Sequence, residues 1–466
     1  MTTTSTATRT GSGLKRNLGL IAIVGLGLGY MTPTVVFDTF GIVSEQTDGA
    51  VPAAYAVALV IMLLTAISYG KMVRVYPQAG SAYTYARESI HPNVGFMIGW
   101  SSLLDYLLLP MVNALIIRLY LEQIFPDLPP WVTVLVYCII VTTIIAVSMR
   151  STSNINMVLL VGAIIVMVIF AFMVVVQLTQ GAGAGTVVSI TPFAHDGVAF
   201  GAVLTGATIV CFSFIGFDAV TMYTEEAKTP KTMPRAILLT VLIGGGIFLV
   251  TSYLTQLRFP DNGPFGEFTD DPLPQIGLLA GGPLFQIVLT AAGFAATAAS
   301  GLASHASVSR MLLVMGRNSV LPRRFFGYVS PKTRTPILNV ILVGFVTLFA
   351  ISFSLELISA FINFGALIAF TAVNASVIAH FAIREKRRST PKDIFRYIVL
   401  PGVAMLLTGI LWSQLHSDAL IAGSVWAVIG FVYLLVITRG LRKQPMSFDE
   451  AQPVTGFNKV VEIPKD

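Results

Sequence analysis

Residues 18–44 read LGLIAIVGLGLGYMTPTVVFDTFGIVS, an apolar run broken near its middle. Gly25, Gly27 and Gly29 lower the cost of unwinding a helix there. Pro33, in Thr32-Pro33-Thr34, removes a backbone donor and clashes with the preceding turn. A second run, 198–227, is interrupted at Phe212-Ser213-Phe214-Ile215-Gly216-Phe217-Asp218. A Phe-Asp pair follows each break, as Phe37-Asp38 and Phe217-Asp218. One Gly/Pro break in a membrane helix is often only a kink. Two at corresponding positions of two halves point to the midplane site of a transporter built from inverted repeats. Lipid offers freed backbone nothing, so protein, water or solute must satisfy it.

Outward from these two runs the chain keeps the same character. Of its 466 residues 55% are hydrophobic and 11% charged, where a soluble domain has about 25% charged. Mean hydropathy is +0.79. Twelve spans long enough for a ~30 Å hydrocarbon core are expected. They fall at about 18–44, 51–73, 94–122, 130–149, 153–178, 198–227, 234–256, 282–314, 336–353, 356–383, 395–415 and 419–438, numbered here helices 1 to 12. The expected fold class is therefore an all-α membrane protein. A transport core over 18–383 holds two five-helix inverted repeats, about 18–178 and 198–383. Helices 11 and 12 occupy 384–438, and the tails are 1–17 and 439–466.

Of the 29 Lys and Arg residues, all but Arg118 and Arg258 fall on one side of these spans. The opposite loops carry Asp261, Glu267, Asp270 and Asp271. Basic loops stay in the cytoplasm, so both termini are expected there. The net charge of +6 is then a topology signal and not a nucleic-acid patch. Residues 1–16 are Thr/Ser-rich and basic, unlike a cleavable signal peptide. Cys138 and Cys211 lie inside apolar runs and read as small hydrophobes, without disulfide or metal spacing. With no nucleotide loop, metal cluster or nucleophile constellation, neither an enzyme nor a cofactor is expected.

The embedded carboxylates carry the chemistry. Asp38 is the first acidic residue of the chain, just beyond the helix 1 break. Asp105 lies in helix 3, about 16 Å deep at 1.5 Å per residue. Asp218 follows the helix 6 break, with Glu225 and Glu226 one to two turns closer to the cytoplasm. A charge at the bilayer centre costs at least ~2.5–3.5 kcal/mol, so it faces a cavity or a partner. The embedded cation, Arg118, is more than three turns from Asp105. A cationic solute or a proton is the natural partner. Plainer readings stand beside this one. Asp105 is alternatively protonated and bonded to a neighbouring helix, and Asp218 structural or gating. Glu225 and Glu226 pair with Lys228 and Lys231 at the helix mouth. Glu356 is solvated at the outer edge of helix 10, and His305 reads as a packed polar residue.

Several stretches resemble the amino acid–polyamine–organocation superfamily, and within it the bacterial putrescine importers. They include TPTVVFDTFGIVS at 32–44, TAISYGKMVR at 65–74, AGSAYTYA at 79–86 and VGFMIGWSSLLDYLLLPM at 94–111. GATIVCFSFIGFDAV at 206–220, ASGLASHASVSR at 299–310 and INFGALIAF at 362–370 extend the likeness. The helix 6 stretch is shared widely across the superfamily. The helix 1 and helix 3 stretches are narrower and carry the amine assignment. The resemblance implies a leucine-transporter-like fold that alternates access around helices 1, 3, 6, 8 and 10. It implies import of putrescine or a similar small aliphatic amine across a bacterial inner membrane. The alternative is a proton-coupled permease for a neutral or cationic amino acid. The residue chemistry and the resemblance together place Thr32, Pro33, Thr34, Asp38, Asp105, Tyr106, Phe212, Gly216 and Asp218 at the substrate, with Asp218 and Glu225 in proton coupling or gating; Asp38 rests mainly on its own chemistry.

Related arginine/agmatine antiporters have Gly-Ser-Gly at the helix 1 break, where backbone donors bind the substrate carboxylate. Here the place is taken by Thr32-Pro33-Thr34, and Pro33 has no N–H to give. Helix 5 has no ionisable residue between Ser151 and Gln180, where some relatives keep a proton-linked lysine. Helix 8 presents Thr297, Ser300, Ser304 and Ser307, more often a packing face than a sodium site. A proton or the membrane potential is the expected driving force, sodium less so. The potential alone supplies ~2.3 kcal/mol per charge per 100 mV. Ornithine differs from putrescine by one α-carboxylate. In competition for uptake, ornithine should be much the weaker of the two, and equal competition would refute the argument from the missing glycine nest.

Overall fold

A computed structural model describes residues 18–77, 81–147, 153–317, 320–333 and 335–442. The expected cytoplasmic tails thus fall almost entirely outside the described residues. Among the described residues the structure is all-helical, with a single isolated bridge joining Leu18 and Ala227. Eleven helices are long and apolar enough to cross a membrane. The remaining expected span, helix 9, is shorter: Ile337–Thr347 continues as a 3-10 turn over Leu348–Ile351.

Helix starts follow their local chemistry. Pro92 opens helix 3, Pro92–Ile124, where its missing N–H costs nothing, and the His91 ring accepts from the Asn93 N–H. Ser354 caps helix 10 at the Leu357 N–H, and Thr390 caps the start of helix 11 at Asp393. Helix 8 begins earlier than the expected 282, at Leu273, and runs to Arg317 with a kink at Gly282. Gly282 takes φ 74° and Pro283 follows it, so two helical pieces join where the sequence suggested a start.

Helix 2, Val51–Val75, packs along helix 7, Thr232–Arg258, and helix 3 packs along helices 8 and 10. Helix 12, Ser417–Ile437, is locked to helix 3 by a reciprocal tryptophan pair. Trp100 Nε1 donates to the Trp426 carbonyl and Trp426 Nε1 to the Trp100 carbonyl, each at 2.9 Å, with the rings stacked 4.9 Å apart. These contacts leave helices 1 and 6 wrapped by 2, 3, 7, 8 and 10.

Both central helices are broken as expected. Helix 1 comprises Leu20–Met31, Val35–Asp38 and Phe40–Gln46. Helix 6 comprises Phe200–Phe214 and a 3-10 segment, Ala219–Glu226. Gly216 takes φ 120°, and a Cβ there would come within 2.8 Å of Tyr30 Cδ1 and 3.2 Å of the Met31 nitrogen. Gly216→Ala therefore meets both a forbidden backbone region and a clash with helix 1. It should destabilise the purified protein by at least ~1–3 kcal/mol, read as a lowered Tm. An unchanged Tm would mean that the two breaks do not pack as described.

Candidate functional site

The helix 1 break is a tight turn. Thr32 adopts a left-handed conformation, φ 48° and ψ 86°, unusual for a β-branched residue. The Val35 N–H donates to the Thr32 carbonyl and the Phe37 N–H to the Thr34 carbonyl, both at 2.9 Å. The Thr34 hydroxyl is buried without a partner among the described residues. At the helix 6 break, the Asp218 carboxylate accepts from the Gly216 N–H at 3.4 Å. The Asp218 carbonyl accepts from the Thr221 N–H at 2.9 Å and hydroxyl at 2.6 Å.

A cavity lies beside the two breaks. Tyr30, Thr32 and Asp38 of helix 1, Asn113 of helix 3, Phe212 of helix 6 and Thr297 of helix 8 line it. Its volume is about 20 Å³, room for one water molecule and no organic solute. Of the residues the sequence placed at the substrate, Thr32, Asp38 and Phe212 form its wall. Pro33, Thr34, Asp105, Tyr106, Gly216 and Asp218 lie outside the lining. The Glu225 side chain lies outside the described residues.

Asp38 is fully buried. Its Oδ1 accepts from the Tyr120 hydroxyl at 2.6 Å, and its Oδ2 has no partner among the described residues. Asp271, expected as an exposed outer-loop acid, is also buried, at 1% exposure. Its Oδ1 accepts from the Leu273 N–H at 3.3 Å at the start of helix 8, and its Oδ2 is likewise unpartnered among them. Gln123 donates to the Asp271 carbonyl at 2.6 Å. Burial, and after it the Asp38 charge, push the Asp271 carboxyl well above its ordinary range. The two outer arginines are engaged elsewhere. Arg118 donates to the Ile351 carbonyl at 3.1 Å and lies 3.9 Å from Glu122; Arg258 donates to Gln177 at 2.6 Å.

Asp105 forms a separate centre. It is 6% exposed, and its Oδ1 has no partner among the described residues. Helix 10 passes over it at Gly365, where a Cβ would sit 2.7 Å from the Ser101 carbonyl and 3.2 Å from Asp105 Cβ. Asp38 meets the same helix further along, at Tyr120. Asp105 and Tyr120 are fifteen residues apart on helix 3, about 22 Å at 1.5 Å per residue. The nitrogens of an extended four-carbon diamine are only about 6 Å apart, five bonds of about 1.5 Å in zigzag. One diamine therefore does not extend along helix 3 from the level of Asp105 to that of Tyr120.

Tyr120, Asp271 and Asn113 escaped the sequence reading. Tyr120 meets Asp38 across 82 positions, which no local spacing reveals. Asp271 had one available signal. It sits with Pro272 immediately before an apolar run, where a short polar side chain satisfies a helix's free N–H groups. His305 is a packed residue, its Nε2 bonded to the Val340 carbonyl at 3.0 Å.

Interrupted helices around a cavity lined by an unpaired carboxylate define a multi-pass membrane transporter. Residues 22–439 match the family Amino acid permease, and the chain belongs to that family. It is 47% identical to the "Low-affinity putrescine importer PlaP" of Escherichia coli (strain K12), over 94% of this chain and 97% of that protein. It is 24% identical to the "Branched-chain amino acid permease BcaP" of Bacillus subtilis (strain 168), over 91% and 94%. It is 25% identical to the human "Cationic amino acid transporter 4", over 82% of this chain and 61% of that one.

Removing the Tyr120 hydroxyl leaves Asp38 with both oxygens unpaired in a buried site. Tyr120→Phe should destabilise the protein by ~1–3 kcal/mol, and much less in an Asp38→Asn background. Additive effects on Tm in that double-mutant cycle would show that the pair does not interact.

Proposed function

We propose that the protein imports putrescine or a similar small aliphatic amine across the plasma membrane by alternating access. One observation carries this reading: Asp38 and Asp105 are embedded carboxylates with an oxygen left unpaired, and no protein cation is bonded to either among the described residues. An ammonium group supplies the missing charge and the missing donors together. The name of the 47% identical relative agrees with it. The helix 1 break argues against an amino acid, because Pro33 offers no N–H to a substrate carboxylate.

Asp38, bonded to Tyr120, and Asp105, one turn before Leu109 on helix 3, act as successive stations. Asp38, on the outer side of the cavity, receives the amine first. Asp105, with Tyr106 and Asp218, takes it once helices 1 and 6 have moved. Asp218 joins amine binding to gating, since its carboxylate bonds the helix 6 break itself. It alternates between amine or a proton and the closing inner gate, with Glu225 next on that path. Proton or membrane-potential drive fits a cationic cargo, and sodium fits less well. The positive side holds both termini in the cytoplasm, and the breaks in helices 1 and 6 open two inverted repeats within 18–383.

Asp105→Asn and Asp38→Asn should each leave folded protein in the membrane and weaken putrescine binding by ~2 kcal/mol or more, the scale of losing a buried charge partner. Asp218→Asn should retain binding while flattening the pH profile of uptake in proteoliposomes. Wild-type affinity in both of the first two variants would exclude the carboxylates as amine sites. A normal pH profile in the third would move the proton to Glu225.

A further inference from the structure

A second cavity lies away from the helix breaks. It lies at the basic end of helices 2, 7 and 11 and has a volume of about 390 Å³. Four cations line it: Lys71 and Arg74 from the last turns of helix 2, and Lys392 and Arg396 from the start of helix 11. No acidic side chain lines it. The nearby Asp393 is turned to Thr390, whose hydroxyl donates to it at 2.9 Å. Among the described residues no carboxylate pairs with any of the four cations. Lys71 is itself buried, at 8% exposure, and its Nζ donates to the Arg396 carbonyl at 2.5 Å.

The rest of the lining is apolar. Ala66, Leu238 and Leu400 belong to it, and Phe395 has 60% of its surface exposed. An exposed Phe beside four cations that lack a carboxylate partner fits a ligand with a phosphate at one end and hydrocarbon at the other. A soluble anion would match the charge and leave the apolar half unused. We propose that this cavity binds an anionic phospholipid of the cytoplasmic leaflet, its phosphate against Lys71, Arg74, Lys392 and Arg396 and its acyl chains along Leu238 and Phe395. Basic pockets between membrane helices on this side bind anionic headgroups on the same physical grounds. The lipid would join helix 2 and helix 7, which pack on the broken helices, to helix 11.

Native mass spectrometry of the purified full-length chain, with Tm measured alongside, tests the proposal. The probes are phosphatidylglycerol, phosphatidylcholine and inorganic phosphate. Phosphatidylglycerol should be retained and raise Tm, while phosphatidylcholine and phosphate should do neither. Retention should fall roughly five-fold for each cation removed in Arg74→Gln and Lys392→Gln, about 1 kcal/mol per charge. Leu238→Trp fills the apolar half without changing charge and should also lower retention, which covers the case of a misfolded charge variant. Phosphate raising Tm as much as the lipid would assign the site to a soluble anion and overturn the proposal. So would equal retention of the two lipids, or undiminished retention in folded variants.

Discussion

Backbone released by unwinding has no partner in hydrocarbon, and the core of this protein is organised around that constraint. Thr32 to Thr34 and Ile215 to Asp218 are both unwound in the middle of membrane helices, and each break is closed by short local bonds. They are also packed on one another, with Gly216 against Tyr30 and Met31. At one end, the Lys228 N–H donates to the Leu18 carbonyl at 3.0 Å, tying the start of helix 1 to the end of the helix 6 segment. At the other end, Asn262 donates to the Gly41 carbonyl at 2.8 Å. Helix 1 cannot move at either end without breaking a bond to the second half of the chain. The cavity beside the breaks, about 20 Å³, has no room for an organic solute.

Charge is the second constraint. An embedded carboxylate costs several kcal/mol unless something neutralises it. Arg118 and Arg258 were the obvious protein candidates on the outer side, and both are spent on carbonyl and amide partners. The Tyr120 hydroxyl satisfies one oxygen of Asp38 and leaves the charge in place. Asp271 adds a second buried acid to the same end. An arrangement that concentrates negative charge, withholds cations and keeps oxygens unpaired is poor for stability. It is what a site for an ammonium ion requires.

Much of this was legible in the chain because it rests on local rules. Thr32-Pro33-Thr34 and Gly216 announce the breaks through backbone chemistry alone, and the depth of Asp105 follows from counting along one helix. What stayed hidden depends on pairs far apart in sequence. Nothing near Tyr120 says that it bonds Asp38, and nothing near Lys71 says that helix 11 brings Lys392 and Arg396 beside it. Helix 8 was drawn from 282, where two helical pieces meet at Gly282; the piece before it, from Leu273, was not anticipated. Helix 9 was drawn as a full span on apolarity, while Leu348–Ile351 tightens into a 3-10 turn before Ser352.

Helix 3 connects the surroundings of the two carboxylates. Leu109, Val112, Asn113 and Ile116 line the cavity at the three- and four-residue spacing of a single helix face. Asp105 lies four residues before that stripe and Tyr120 four residues after it, so the stripe is continuous from one carboxylate centre to the other. Its ends are polar and its middle is apolar apart from Asn113. A diamine has the same division, two charged ends and a hydrocarbon centre, over less than a third of the length. It can rest at either end of the stripe with one ammonium on a carboxylate, and a charge has only Asn113 to rest on in between. Under the proposed amine import, passage would be driven by movement of helices 1 and 6, with helix 3, bonded to helix 12 through the Trp100–Trp426 pair, as the track.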